Sequence, residues 1–294
     1  AVYFGAPVES EATELANLLC ATKEKWHGID IGYGNGFGPV MHGPGDGNAI
    51  NGVPELRDWK NANTIMIVGS NFTESTLIQC APFFDAKEAG AYTIAVDPNF
   101  TTTASKCDEW VPIKPAADAA MYLGMISAVI DNGWYDEEYM LAHTGYPFLV
   151  STKTGAILRD HPTVDAKETG QDNPFYVWDT VTKQAKPYNE EGVVAALTGT
   201  YKVDGEEYAT EFELLKANQA PYTLQWAEET SGIPAQKLAD LAERYATGGP
   251  AILVVGVGGN DKFCNSDIAG HAAGVLVALT GNSGKPGTGL GAPL

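Results

Sequence analysis

The chain has 294 residues, and its 37 acidic and 18 basic side chains give a formal net charge of -19 at pH 7. This acidity argues against nucleic acid as a partner, because the phosphate backbone would be repelled. The hydrophobic fraction of 44% is that of a globular chain and not of a disordered one. No run of about 18 apolar residues occurs, so no direct membrane insertion is predicted.

The amino-terminal part combines one helix with a long loop. Residues 11–25 space their leucines as an amphipathic helix does. Nine glycines follow between positions 28 and 52, too many for a helix or a central strand, so an irregular loop is predicted. Long loops in compact domains are often functional. His42 in this loop is a candidate catalytic or ligand residue, and a solvated loop histidine is the alternative.

Short apolar strands then alternate with helices, which is typical of a doubly wound α/β fold. The pattern predicts strands over 64–68, 92–96 and 109–113. Helices are predicted over 73–90, with a break at Pro82, and over 117–130. After an aperiodic stretch, the chain predicts a helix from Pro234 to Tyr245, a strand over 251–255 and a helix over 266–279.

This recurrence predicts two Rossmann-like lobes with mostly parallel sheets, one of them discontinuous in sequence. Residues 1–28 and 206–294 would form the first α/β lobe, and 29–150 a second, nucleotide-binding lobe. Residues 151–205 would form an insertion of loops and hairpins, because periodicity weakens there.

Four loops follow predicted strands, at the edge where open parallel sheets bind ligands. Small residues let a ligand approach the backbone, and free N–H groups can hold phosphate without a basic surface. The loops therefore predict a nucleotide-bearing ligand, with plain strand-to-helix connections as the alternative. Asp97 could accept from a ribose hydroxyl or a guanine edge. The candidates in these loops are Gly69, Ser70, Asn71, Asp97, Pro98, Asn99, Lys114, Asp118, Gly256, Gly258, Gly259 and Asn260.

Competing motifs are missing from the sequence. It contains neither a complete GxGxxG arrangement after a strand nor a Walker A motif. The cysteines, at 20, 80, 107 and 264, form no CxxC pair, so no zinc or iron-sulfur site is predicted within this chain.

Several stretches carry a family resemblance. They are Val68-Gly-Ser-Asn71 with Glu74, Ile94-Ala-Val-Asp-Pro98 with Thr103, Cys107-Asp-Glu-Trp-Val-Pro112, Lys114-Pro115, Asp118-Ala-Ala120 and Gly256-Val-Gly-Gly-Asn260. In this order and spacing the chain resembles the molybdopterin oxidoreductases of the dimethyl sulfoxide reductase family. Val53-Pro-Glu-Leu-Arg-Asp-Trp59 and Asn173-Pro-Phe-Tyr-Val-Trp-Asp179 are similar to the subgroup of nitrate, selenate and perchlorate reductases and dimethyl sulfide and ethylbenzene dehydrogenases.

The resemblance implies the cofactor-binding portion of a catalytic subunit that carries molybdenum on two molybdopterin guanine dinucleotides. It implies two-electron oxygen-atom or hydroxyl chemistry on a small substrate, and its implied partner is an iron-sulfur electron-transfer subunit. Ser70, Asn71, Glu74, Asp97, Lys114 and Asp118 would line one dinucleotide, together with Thr103 of the same motifs. Gly258, Gly259 and Asn260 would line the other.

Two departures from the family pattern concern the metal and one loop. Where the subgroup usually has a molybdenum-binding aspartate, Tyr33-Gly34-Asn35 offers the neutral amide of Asn35, and Asp30 is the nearest carboxylate. Ala116-Ala117 stands where the family usually has Gly-Thr before the aspartate.

The resemblance also makes the chain look like a fragment, inactive alone, with a 4Fe-4S cluster expected in a preceding part and none in this chain. It leaves the compartment open between the periplasm, the membrane surface by way of partner subunits, and the cytoplasm. Two alternatives have other functions. One is a metal-free structural subunit of an electron-transfer complex with the same fold, and the other is an unrelated nucleotide-binding α/β protein.

Overall fold

A computed structural model describes residues 56–160, 173–256 and 266–291, which divide into two compact units. The first unit contains the described residues up to 134, those from 222 to 277 and those from 282 onward. The second contains residues 135–221 and 278–281. None of the described helices is long and apolar enough to cross a membrane.

A five-stranded parallel sheet forms the centre of the first unit. The strands are β1 (Thr64–Val68), β2 (Tyr92–Val96), β3 (Glu109–Val111), β9 (Ala251–Val255) and β10 (Gly289–Gly291). Their order is β10-β9-β1-β2-β3, with β1 in the middle. All five residues of β1 and of β9 are buried, as expected of parallel strands covered on both faces, and the polar Thr64 donates its hydroxyl to the Gly248 carbonyl at 3.0 Å.

Helices connect and cover these strands. In chain order the helices are α1 (Phe72–Ser75), α2 (Cys80–Glu88), α3 (Asp118–Asn132), α4 (Glu137–His143), α5 (Glu211–Gln219), α6 (Leu224–Ser231), α7 (Ala235–Thr247) and α8 (Ser266–Thr280). Of these, α4 and α5 belong to the second unit. Short 3-10 turns occupy Leu56–Asn61, Leu77–Gln79 and Ala104–Lys106.

One hydrophobic cluster packs against the sheet. Phe72 lies at its centre, with its ring centroid 6.0 Å from Trp59 and 5.2 Å from Phe83, both in edge-to-face geometry. Ile65 and Ile67 of β1 and Ile252 and Val254 of β9 face the same cluster, as the two-residue period of a strand requires. Phe72 begins α1, so this packing fixes the loop that leaves β1.

The second unit is built from hairpins and two helices. Its strands are β4 (Leu149–Ser151), β5 (Tyr176–Asp179), β6 (Gln184–Pro187), β7 (Thr200–Val203) and β8 (Glu206–Thr210). A three-stranded antiparallel sheet has the order β4-β8-β7, and β5 pairs with β6 in a separate hairpin. Asp204 and Gly205 join β7 to β8 with φ angles of 51° and 85°, the left-handed pair that a two-residue hairpin turn needs.

The predicted α/β class with a mostly parallel sheet is confirmed, and the strands over 64–68, 92–96 and 251–255 have the predicted bounds. The third strand ends at Val111 and not at residue 113. The helix break lies at Thr76, whose φ of -137° is not helical, and not at Pro82. Pro82 is the third residue of α2, where an N–H has no partner within the helix in any case.

The division into lobes differs from the predicted one. β9, predicted in the lobe of 1–28 and 206–294, pairs in parallel with β1, predicted in the lobe of 29–150. Both strands are apolar on both faces, and joining one sheet buries them completely. The second unit, 135–221, also extends beyond the predicted insertion of 151–205 on both sides. The predicted helix over 11–25 and the glycine-rich loop lie outside the described residues.

Gly124 permits the close packing of α3 on α6. A Cβ added at Gly124 would lie 2.5 Å from the Cβ of Ala227, which is closer than two carbon atoms can approach. We expect Gly124→Ala to lower the free energy of unfolding by about 1–3 kcal/mol, although alanine is favoured over glycine in helices by about 1 kcal/mol. Urea unfolding of the full chain measures the change.

The double variant Gly124→Ala, Ala227→Gly is the matched control, because it moves the methyl group from one helix to the other. We expect its free energy of unfolding to be higher than the value obtained by adding the effects of the two single substitutions. Strict additivity would show that the two positions do not compete for the same space.

Candidate functional site

The loops after β1 and β9 meet through their backbones. The N–H of Gly69 donates to the Val96 carbonyl at 2.9 Å, and that of Gly256 donates to the Val68 carbonyl at 2.8 Å. A Cβ at Gly256 would lie 1.8 Å from the Gly69 oxygen, so no other residue fits there without moving the backbone. Gly69 itself has a φ of 62°, which favours glycine. These glycines let the two loops pack backbone against backbone at the carboxyl edge of the sheet.

A polar network fixes the loop after β1 to the loop after β2. The Asn71 Oδ1 accepts hydrogen bonds from the Thr103 N–H at 3.1 Å and from the Thr103 hydroxyl at 2.9 Å. The Asn71 Nδ2 donates to the Glu74 Oε2 at 2.9 Å. Thr102 donates to the other Glu74 oxygen, and the Thr73 and Thr103 hydroxyls are 2.9 Å apart. The predicted residues Asn71, Glu74 and Thr103 are therefore brought together by one network.

Two carboxyl groups, Asp97 and Asp118, interact at the same edge. Asp97 follows β2, and Asp118 begins α3 and is 9% exposed. Burial raises the pKa of Asp118 to about 6, and the negative charge of Asp97 adds to the increase, while the backbone N–H of Asp118 opposes it. Burial also raises the pKa of Asp97, opposed by the Asn99 N–H that donates to its Oδ1 at 2.8 Å.

Other predicted residues of this edge have different surroundings. Ser70 is buried, whereas Pro98 and Asn99 are exposed. Lys114 is exposed, and its ammonium donates to the Glu229 carbonyl at 2.8 Å, so the structure does not join it to the Asn71 network. We name the residues that the structure does assemble here the strand-end cluster: Gly69, Ser70, Asn71, Glu74, Asp97, Thr103, Asp118 and Gly256.

The sequence reasoning missed Thr73, Thr102 and Trp110. The Trp110 indole donates to the Asp97 carbonyl at 3.0 Å, and its ring meets Phe100 edge-to-face at 5.2 Å. Phe100 is 63% exposed. In the sequence, the run Thr101-Thr102-Thr103 after β2 was the available signal for Thr102, because hydroxyl groups in such loops form hydrogen bonds with neighbouring polar groups.

Other candidates lie outside the described residues. These are the catalytic and metal-ligand candidates Asp30, Asn35 and His42 and the second loop residues Gly258, Gly259 and Asn260.

Comparison with known proteins decides the family. The model of the family "Molybdopterin oxidoreductase" matches residues 29–292 of this chain. The chain belongs to the molybdopterin oxidoreductase family. The resemblance seen in the strand-end motifs is thereby confirmed, and family membership implies a molybdopterin cofactor and an oxidoreductase.

Individual relatives agree with this assignment. The chain is 32% identical over 267 residues to a putative dimethyl sulfoxide reductase catalytic chain of Halobacterium salinarum, covering 89% of this chain and 31% of the relative. It is 29% identical over 272 residues to the alpha chain of perchlorate reductase from Dechloromonas aromatica, covering 80% of this chain and 29% of the relative. The chain thus spans about a third of the length of these relatives.

A solved structure supports the fold. Acetylene hydratase from Pelobacter acetylenicus superposes with a TM-score of 0.51 at 22% sequence identity, covering 83% of this chain and 23% of the other. The two proteins share the α/β architecture in which the strand-end cluster lies.

The raised pKa of Asp118 predicts a pH-dependent stability. The ordinary pKa is 3.8 and the folded pKa is about 6, so the folded chain binds more protons than the unfolded chain between these values. Stability therefore falls as pH rises through this interval. We expect Asp118→Asn to be more stable than the wild type at pH 7.5 by roughly 2–3 kcal/mol, and nearly equal to it at pH 4.

Urea unfolding at the two pH values measures the difference between variant and wild type. Asp131→Asn, which neutralises an exposed carboxyl near the other end of α3, is the matched control and should show no such dependence. Equal effects of the two substitutions would contradict the role given to burial.

Ala116 predicts a second change in stability. Its φ of 65° lies in the left-handed region, where a Cβ costs roughly 1 kcal/mol. We expect Ala116→Gly to raise the free energy of unfolding by about 0.5 kcal/mol, the strain relief exceeding the added freedom of the unfolded chain. Ala117→Gly, at a φ of -104°, is the control and should destabilise. A loss of stability at both positions would refute the account.

Proposed function

We propose that the strand-end cluster binds the guanine nucleotide end of a molybdopterin guanine dinucleotide. On this proposal the chain is the cofactor-binding portion of a molybdenum oxidoreductase catalytic subunit. The observation that carries it is the pairing of two partly unsatisfied carboxyl groups, Asp97 and Asp118, at the sheet edge where the Ser70 and Asn71 amides donate no hydrogen bond within the described residues.

The donors and acceptors of the cluster fit a nucleotide. The Asp97 Oδ2 has no hydrogen-bonding partner among the described residues, and a carboxylate can only accept. Guanine offers two adjacent donors, its N1–H and its exocyclic amine, whereas adenine has an acceptor at N1. A carboxylate of this pair would therefore favour guanine over adenine.

The backbone after β1 fits a phosphate. Within the described residues, the N–H groups of Ser70 and Asn71 donate no hydrogen bond. An acidic chain can hold an anion in this way, because backbone dipoles supply the positive potential.

The residues of the chain bind and orient the cofactor, and the cofactor supplies the redox chemistry. When bound, molybdopterin carries a molybdenum centre that exchanges two electrons with a small substrate by oxygen-atom or hydroxyl transfer. A bound guanine would donate to the carboxyl pair and so favour its ionised form, lowering the pKa that burial raises at Asp118. The Asn71 network would hold the loop after β1 in place for this contact.

One relative is named a catalytic chain and the other an alpha chain, and such names support the presence of a partner subunit in the complete protein. We propose that this partner is an iron-sulfur electron-transfer subunit, and that a 4Fe-4S cluster precedes the segment described here. The family match excludes the unrelated nucleotide-binding protein considered from the sequence.

Guanosine diphosphate should protect the full chain against thermal unfolding more than adenosine diphosphate does. The two ligands carry the same phosphates, so the difference measures recognition of the base. At a ligand concentration near 100 times Kd, the stabilisation would be about 2.7 kcal/mol. We expect Asp118→Asn to remove most of the preference for guanine and Asp131→Asn to retain it.

Equal protection by both nucleotides, or a guanine preference that survives both Asp97→Asn and Asp118→Asn, would contradict the proposed base site. Metal analysis of the protein from a cofactor-producing host tests the redox assignment separately. Absence of molybdenum would favour the metal-free structural subunit.

A further inference from the structure

A cavity of about 530 Å³ lies in the second unit, within the size range of small-molecule sites. The turn after β5 and the turn between β7 and β8 contribute Lys183 and Asp204 to its lining, and Lys202 comes from the end of β7. Arg159 and Asp160 complete the charged lining. The cavity thus has one more cation than carboxylates, in a chain with a net charge of -19.

The three cations of this cavity have no ion-pair partner within the described residues. The Arg159 Nη1 is buried and lacks a hydrogen-bonding partner among the described residues, although the guanidinium lies 4.7 Å from the centre of the Phe175 ring. Lys186 and Lys216 in the same unit are paired with Glu190 at 2.7 Å and Glu213 at 2.8 Å. A buried, unsatisfied guanidinium N–H is costly, which indicates a site that an anion would complete.

The two carboxylates of the lining do not neutralise these cations. Asp160 accepts a hydrogen bond from the Tyr176 hydroxyl at 2.7 Å, and this bond raises the pKa of Tyr176 to about 12. Asp204 stands in the hairpin turn with a φ of 51°. Neither carboxylate forms an ion pair with the three cations in the described part of the chain.

The cavity has a rigid aromatic wall. Trp178 lines it and stacks on Tyr201, with ring centroids 4.3 Å apart and an angle of 10° between the planes. The turn that carries Lys183 is fixed by the buried Asp179, whose Oδ2 accepts from the Thr182 hydroxyl at 2.6 Å and whose carbonyl accepts from the Lys183 N–H at 2.9 Å. Such support holds a charged group near one geometry before a ligand arrives.

We propose that this cavity binds a small organic anion. Its carboxylate or phosphate would be held by Arg159, Lys183 and Lys202, and its apolar body would lie against Trp178. The planar guanidinium of Arg159 suits two oxygens of one acidic group, and the lysines add charge without fixed geometry. The site lies within residues 158–204 and uses none of the residues assigned to the guanine nucleotide.

Titration calorimetry of the full chain at low ionic strength tests the site with three probes: phenyl phosphate, benzoate and inorganic phosphate. We expect at least one aromatic anion to bind with a Kd on the order of 1 mM or below, and more tightly than inorganic phosphate. The tighter of phenyl phosphate and benzoate identifies the acidic group. Added salt should weaken binding, because the lysines are exposed to solvent.

Arg159→Gln should weaken binding roughly tenfold or more, and Lys202→Gln should weaken it less. Lys153→Gln is the matched control, since Lys153 is an exposed lysine of the same unit outside the cavity. Asp131→Asn, in the first unit and outside both proposed sites, should leave binding unchanged. Lys183→Gln, on an exposed turn, provides a further test should Arg159→Gln fail to fold.

Binding of none of the three probes to the wild type would overturn the proposal. Wild-type affinity in the Arg159, Lys183 and Lys202 variants would overturn it equally, because the anion would then lie elsewhere.

Discussion

The contact between the backbones of Gly69 and Gly256 is the constraint on which the ligand edge of the first unit depends. β1 and β9 pair in register up to Val68 and Val255, and the next residues, Gly69 and Gly256, approach so closely that a methyl group on Gly256 would overlap the Gly69 carbonyl oxygen. This close approach is a property of the sheet and not of either loop alone. The same pairing buries both strands completely, so the apolar core and the backbone contact are products of one arrangement.

The charges at this edge oppose folding instead of supporting it. Two carboxyl groups, Asp97 and Asp118, share a partly desolvated region, and burial disfavours their ionised forms. The hydrophobic packing around Phe72 and the network of Asn71 and Thr103 hold the surrounding loops nevertheless. The buried carboxyl groups thus lower the free energy of unfolding, and the packing around Phe72 and the polar network raise it, a combination that is common at binding sites. The acidic composition of the chain is compatible with anion binding because amides and a few positioned cations act at short range.

The sequence predicted the central strands well because residues such as Ile65, Ile67, Ile252 and Val254 form short, uniformly apolar runs between turn residues. It did not predict that β9 joins the sheet of β1, since periodicity reports which face is buried and not which strand lies alongside. Asn71, Glu74 and Thr103 were predicted as site residues, Glu74 and Thr103 from the family resemblance and Asn71 also from its loop, and the structure joins them in one hydrogen-bond network. Thr73 and Thr102 escaped because a hydroxyl in a loop carries little signal until the second loop is placed beside it.

The position of β9 has a consequence for the order in which the chain folds during synthesis. β1 lies between β2 and β9, and β9 is translated only after residues 135–221, the larger segment of the second unit. At translation rates of about 5–20 residues per second, the edge of β1 that will receive β9 stays unpaired for roughly 10–40 s. An apolar strand with an open edge is a template for pairing with other chains. The growing chain therefore carries a pairing-prone edge on β1 until residues 251–255 emerge.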